Sequence, residues 1–137
     1  MRLHHTGIVV PDIKAYGELY AATLGLSPRT EIFHDPLQKV RVQFFGGAES
    51  ESWIELIEPA GEDSPVQRAL KKGGGLDHLC YETSHIEKTL EESIAKGGAI
   101  VRPLAPAVAF GGRRIAFVYF LELGLIEFVE VPVQNAL

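Results

Sequence analysis

The sequence predicts an α+β fold built from two tandem βαβββ modules, and three observations predict it. A strand, a helix and then three strands can be read twice along the 137 residues. The two readings superpose as sequence: LHHTGIVV over LDHLCYET, DIKAYGELYAATLGL over HIEKTLEESIAKGGA, and WIELIEP over LIEFVEV. Each copy also carries one histidine on its first strand and one glutamate on its last. These are His5 and Glu55, then His78 and Glu127; the histidines lie 73 residues apart and the glutamates by nearly the same interval. The length fits a single domain over 1–137, with module one at 1–60, a linker at 61–74 and module two at 75–132.

The elements follow in order. Leu3 to Val10 is apolar and β-branched, a strand. Pro11 and Asp12 then supply a breaker and an N-cap for a helix from Ile13 to Leu24, closed by Gly25. Strands are expected around Arg29–Phe33, Val40–Phe45 and Trp53–Ile57. After a turn-rich stretch from Pro59 to Ser64, Pro65 to Lys72 can form a short helix, and Gly73-Gly74-Gly75 reads as a flexible hinge. The pattern restarts with a strand at Leu76–Glu82. Ser84 is placed to cap a helix from His85 to Ala95, with Glu87 in the capping-box position and Gly97-Gly98 at the end. Strands near Ala99–Arg102, Ile115–Phe120 and Leu125–Val131 complete the second copy.

Composition bounds the function. Hydrophobic residues make up 46% and charged residues 23%, so the chain can bury a core and does not read as disordered. Thirteen Lys+Arg against eighteen Asp+Glu give a net charge of −5, which offers no global positive field to nucleic acid or an anionic membrane. The single cysteine, Cys80, excludes an intramolecular disulfide, and no secretory-type segment opens the sequence; a reducing, cytoplasmic compartment is expected. The most apolar run, Ile115 to Val133, is interrupted by Glu122, Glu127 and Glu130, so a soluble protein is expected.

Packing the two modules about a pseudo-twofold axis brings equivalent positions to one cleft. Two imidazoles and two carboxylates then converge, a donor set suited to a divalent Zn, Ni, Co or Mn ion and formally neutral with it. Such an ion can polarise a bound carbonyl and stabilise an enolate. The glutamates carry the stronger signal, because WIELIE and LIEFVE surround each with large apolar residues, where an uncompensated carboxylate is costly. A salt bridge to Arg or Lys is the alternative compensation. Glu58 and Glu130 read as solvated strand ends, Cys80 as a buried inert thiol, and His4 as exposed or structural. His34 and His85 are given no metal role. Lys71, Lys72, Arg113 and Arg114 are candidates for an anionic tail, although solvated faces carry such residues routinely. Gly111-Gly112 lacks the surroundings of a phosphate loop, and neither a GxSxG elbow nor a CxxC pair is present.

The paired repeats, with HHTGIVVPDI near the start, DHLCYE after the glycines and the two IE strands, resemble the vicinal oxygen chelate superfamily. That superfamily includes glyoxalase I, extradiol dioxygenases, fosfomycin and bleomycin resistance proteins, and methylmalonyl-CoA epimerase. The epimerase branch is resembled most, through QKVRVQFF, IELIEP, DSPVQRALKKGGGLDHLCYE, GGRRIAFVYF and GLIEFVE. The resemblance implies a curved mixed sheet around a metal-binding cleft, with His5, Glu55, His78 and Glu127 as ligands. In what the resemblance implies, extradiol dioxygenases usually lack a ligand at the position of Glu55, and bleomycin resistance proteins generally lack the ligand set. An isomerase or lyase with a non-redox metal is therefore expected.

For the epimerase branch the resemblance implies proton transfer beside the thioester carbonyl of an acyl-CoA, with Glu127 as one acid. The second acid is usually a Glu immediately before the Gln of the QKV-like run; here that position is Leu37, and Asp35 or His34 are the candidate substitutes. Gln38, Lys72 and Arg113 are the expected substrate contacts, and a homodimer is expected. A glyoxalase I-like lyase acting on a thiol adduct, and a small-molecule sequestering protein, are the competing expectations.

Overall fold

A computed structural model describes residues 1–49 and 51–132, so Ser50 and residues 133–137 of the expected domain lie outside the described residues. The chain runs β1 (Arg2–Val9), α1 (Ile13–Leu24), β2 (Ser27–Pro28), β3 (Phe33–Asp35), β4 (Val40–Gly46), β5 (Trp53–Pro59), α2 (Gln67–Lys71) and β6 (Gly75–Thr83). It continues with α3 (Ile86–Ala95), β7 (Ala99–Pro106), a 3₁₀ turn (Val108–Phe110), β8 (Arg114–Phe120) and β9 (Gly124–Glu130).

These strands form one open, curved, mixed sheet in the order β2-β4-β5-β1-β6-β9-β8-β7, with β3 also paired to β4. Outward from the centre the order is β1-β5-β4 on one side and β6-β9-β8 on the other. The first two strands of each series are parallel and the next antiparallel. The two series meet where β1 and β6 pair antiparallel. Each set would otherwise present an unpaired edge there, and the pairing removes it.

Strand alternation sorts the core onto two faces. Ile8, Val10, Phe45 and Leu56 pack with Ile13 of α1, and Ala116, Val118, Ile126 and Phe128 pack with Ile86 and Leu90 of α3. The opposite face gathers Val9, Val42 and Ile57 on one side, and Phe44, Cys80, Ile115, Phe117 and Val129 on the other. Val66 beside α2 and Phe110 of the 3₁₀ turn close that face. Helix α1 starts as expected, with the Asp12 carboxylate accepting from Ala15 N at 3.2 Å, and ends at Gly25 in the left-handed region (φ 68°).

Four local expectations are corrected. The single strand expected at Arg29–Phe33 is split into β2 and β3. The middle of this edge is held instead through Thr30, whose hydroxyl accepts from Phe44 N and whose carbonyl accepts from the Gln43 side chain. Strand β7 runs four residues beyond Arg102 despite Pro103 and Pro106, because an edge strand can present prolines away from its one neighbour and its register shifts twice against β8. The glycine run is no loose hinge: Gly73 N and Gly74 N bond back to Leu70 O and Ala69 O, and Gly75 already belongs to β6. Gly74 (φ 69°) also passes so close to Val9 O that a Cβ would lie 2.6 Å from it. At α3 the N-cap residue is His85, with no side-chain cap bond, rather than Ser84; the Thr83 hydroxyl accepts from His85 N and lies 2.6 Å from that of Thr89, while Glu87 turns to Arg114. No helix among the described residues is long and apolar enough to cross a membrane.

Candidate metal centre

The β1–β6 seam assembles the candidate site. Gly7 of β1 sits opposite Glu55 on β5 and opposite His78 on β6, while Cys80 sits opposite both His5 and Glu127. All four side chains named from the sequence therefore emerge on the face away from α1 and α3. Their donor atoms lie within 4.8 Å of one another, and the residues are only 0–6% exposed. His5 Nε2 is 3.3 Å from Glu55 Oε1, 3.2 Å from Glu127 Oε1 and 3.3 Å from His78 Nε2. His78 Nε2 is 3.5 Å from Glu55 Oε1 and 3.1 Å from Glu127 Oε1.

Glu127 Oε1 has no hydrogen-bond partner despite these approaches. A buried carboxylate oxygen without a donor is costly, and a cation is the occupant that satisfies it. Two carboxylates and two neutral imidazoles balance a divalent charge, so the four residues fit a first-row divalent ion by donor type, charge and proximity.

Two β-bulges support the histidines. In the β1–β6 ladder His4 is the extra residue on β1 and Asp77 the extra residue on β6, each immediately before its histidine. The bulges return these side chains to the histidine that follows. His78 Nδ1 lies 2.8 Å from Asp77 Oδ2, and His5 Nδ1 lies 2.8 Å from His4 Nδ1. With Nδ1–H donated to these partners, both Nε2 atoms face the cluster, where each can offer a lone pair once its proton is displaced by an ion. His4 is half-buried among Phe44, Trp53 and Phe110, which favours the structural of the two roles expected of it over the exposed one. Burial, followed by neighbouring His5, Arg113 and Arg2, lowers its pKa to about 4, so it is a neutral acceptor.

Electrostatics follow the same geometry. Burial opposes a charge on His78, but Asp77, Glu127 and Glu55 outweigh it and push the imidazole up to about 10. His5 is likewise raised against burial by Glu55 and Glu127. Burial pushes the Glu127 carboxyl up, yet the two imidazoles outweigh it and hold it below the usual carboxylate range. Burial and the charges of Glu127 and Glu55 push the Cys80 thiol well up, consistent with its inert reading. Gly7 is a residue the sequence reading missed: a Cβ there would lie 2.2 to 2.6 Å from His78 ring atoms, so a glycine inside a strand was the available signal.

The cluster opens on a cavity walled by Val40, Val42, Ile57, Phe110, Ile115 and Phe117, with Asp35, Gln38 and Arg102 as its further polar groups. The Asp35 carboxylate is already engaged: Oδ1 accepts from Leu37 N and Gln38 N, and Oδ2 accepts from Val108 N. It ties the β3–β4 turn to the 3₁₀ turn, and moving a proton there would disturb those bonds. Leu37 is 60% exposed and lines an outer groove; His34 is exposed. Lys72 is exposed at the end of α2. Arg113 donates to Phe110 O and Glu130 O and lines a separate polar depression with Arg2 and His4. Of the expected substrate contacts, only Gln38 reaches the cavity. Glu58 and Glu130 are not free strand ends, since Glu58 accepts from Ile13 N and pairs with Arg41, and Glu130 pairs with Arg114.

This sheet, with one histidine and one glutamate from each half, is that of a vicinal oxygen chelate protein. The model of the Glyoxalase/Bleomycin resistance protein/Dioxygenase superfamily matches residues 4–117, and the chain belongs to that superfamily. Within it, the chain is 32% identical to the ethylmalonyl-CoA/methylmalonyl-CoA epimerase of Cereibacter sphaeroides over 123 residues, covering 86% of this chain and 87% of that one. The structure is similar to methylmalonyl-CoA epimerase from Mycobacterium tuberculosis at TM-score 0.82 and 26% identity, over 97% of this chain and 89% of that chain. A methylmalonyl-CoA epimerase solved in complex with methylmalonyl-CoA and NH4+ gives TM-score 0.81 and 27% identity, over 96% and 95%.

Proposed function

We propose that the protein is a divalent-metal-dependent epimerase that moves a proton at the carbon next to the carbonyl of an acyl-CoA thioester of the methylmalonyl type. The observation that carries this reading is the buried His5, Glu55, His78 and Glu127 cluster, with Glu127 Oε1 lacking a hydrogen bond, at the head of an apolar cavity. The similarity to epimerases along almost the whole chain supports it. A divalent ion on these four residues would polarise the carbonyl oxygen and stabilise the negative charge that follows proton loss.

The remaining work falls to the chain itself. Asp77 and His4 hold the two imidazoles by Nδ1. Glu127 takes the proton on one face, and a donor on the opposite face must return it for inversion. Val42, Ile57 and Phe117 exclude water from the developing negative charge. The Gln38 amide at the cavity wall offers a hydrogen bond to the substrate.

A second reading rests on Leu37 and Asp35. Inversion needs an acid on each face, but Leu37 cannot carry a proton and Asp35 is held by three backbone amides. One-base chemistry, as in isomerisation of a thiol adduct, is favoured by that observation. The two readings separate when one enantiomer of methylmalonyl-CoA, or a hemithioacetal, is incubated in D₂O with the Co-, Ni-, Mn- or Zn-loaded protein and followed by NMR. Deuterium incorporation with inversion supports the epimerase. Turnover of the hemithioacetal alone supports the lyase, and no turnover of either by any loaded form overturns both.

A further inference from the structure

One charged group beside the cluster is left without a counterpart. Arg102 lies half-buried on β7, its guanidinium carbon 4.3 Å from the centre of the Phe117 ring. Phe117 in turn meets the His78 ring edge-on, with centroids 5.0 Å apart. The guanidinium is thus one aromatic ring away from a candidate ligand. It forms no ion pair and no hydrogen bond among the described residues, in contrast to Arg41, Arg113 and Arg114, which are all engaged.

Stacking on Phe117 fixes the plane of the guanidinium but uses none of its five N–H donors. Asp77, Glu55 and Glu127 are near enough for their charges to be felt, yet Asp77 is bonded to His78 and the nearest oxygens of both glutamates face the imidazoles. Arg102 also lines both the inner cavity and the outer groove that holds Leu37, Gln38 and Lys39. A ligand that reaches either space beside Arg102 meets this fork of donors, whose geometry matches a carboxylate.

We propose that Arg102 is the specificity residue of this site, binding a carboxylate carried by the acyl group while the thioester carbonyl sits at the His/Glu cluster. This rests on the proton-transfer reading above and adds the substrate feature that the cavity selects. An acyl thioester with an anionic substituent is accepted, and its neutral 2-alkyl counterpart is handled poorly because the half-buried guanidinium is left without a counter-charge.

The test has two arms that fail separately. The first measures deuterium exchange at the carbon next to the carbonyl, in D₂O with the Co-loaded protein, for methylmalonyl-CoA and for 2-methylbutanoyl-CoA. The second titrates free methylmalonate, which has no thioester, into the protein by NMR. A charge-assisted hydrogen-bonded pair corresponds to a preference of about 10- to 100-fold in kcat/KM for the carboxylate substrate. In Arg102→Gln that ratio should collapse toward unity and methylmalonate binding should be lost, with Arg102→Lys recovering part of each.

Equal kcat/KM for the two thioesters in the unaltered protein overturns the assignment of Arg102 and leaves the proton-transfer reading standing. Exchange of neither thioester overturns that reading; the methylmalonate arm then decides for Arg102, since binding that is absent, or unchanged in Arg102→Gln, removes it. Equal kcat/KM in the unaltered protein decides without any variant, and circular dichroism spectra matching the unaltered protein show that a loss in Arg102→Gln reads the guanidinium and not the fold.

Discussion

At its outer edge the first half of the sheet ends in two short strands, Ser27–Pro28 and Phe33–Asp35, where the second half has the single strand Ala99–Pro106. Inside those edges the halves agree closely. Each has its histidine on the seam strand, its glutamate on the parallel neighbour, and an Arg–Glu pair across the next ladder: Arg41 with Glu58, and Arg114 with Glu130. The difference separates two tasks. The repeated strands set the donor quartet, whereas the unlike edges supply Asp35 and Gln38 from one side and Arg102 from the other, so the candidate metal site is two-fold and the cavity wall is one-sided.

The comparison is broken hardest by substituting the glutamates. Glu55→Gln and Glu127→Gln should each lower divalent affinity by more than about 100-fold, beyond the usual effect of losing a supporting partner, as measured by competition with a chelating dye. If the two-fold description is right, the two losses are similar in size while proton exchange falls further in Glu127→Gln. A loss confined to one variant would show that only one half holds the ion.

The supporting bulges sharpen it next. Asp77 gives His78 an anionic partner, but His4 gives His5 a neutral one. Asp77→Asn should therefore weaken divalent binding by about 10- to 100-fold, and His4→Gln by less. Equal effects would mean that orientation alone, and not the partner's charge, is what the bulges supply.

Gly7 and Cys80 occupy corresponding places on the two seam strands. Gly7→Ala puts a methyl group into the His78 ring and should cost about 1–3 kcal/mol in thermal unfolding together with the ion site, the range for overpacking. Cys80→Ala only removes volume from a buried position and should leave ion binding the less affected of the two.

The smallest effect belongs to the outer Arg–Glu pairs. Arg114 holds the Glu130 carboxyl below its usual range. A depressed carboxylate contributes stability that is present above its unfolded pKa and is lost as pH falls through the folded one. Partial exposure limits this to less than about 1 kcal/mol, so Glu130→Gln should slightly flatten the acid limb of a melting-temperature profile.

The quartet was legible in the sequence because it is duplicated and because Glu55 and Glu127 interrupt apolar strands, where a carboxylate needs a reason. His4 and Asp77 were not, since strand alternation assigns the residue before each histidine to the opposite face and a bulge leaves no trace in that period. Lys72 and Arg113 were chosen by charge alone, which carries no position; the fold puts one at a helix end and the other in a different depression. Arg102 was read only as the end of a strand. Its meaning depends on β7 continuing past Pro103 and laying the guanidinium over Phe117, a contact set by tertiary packing.

The β1–β6 seam has a consequence for the life of the fold. One pair of donors comes from either side of it, so an ion shared by His5, Glu55, His78 and Glu127 would be a rivet through the join as well as a reagent. Every tenfold excess of free ion over its dissociation constant would add about 1.4 kcal/mol to keeping the halves together. Starving the protein of metal would then loosen the joint before it silenced the chemistry, and amide exchange along His5 and Cys80 would register metal supply as directly as turnover does.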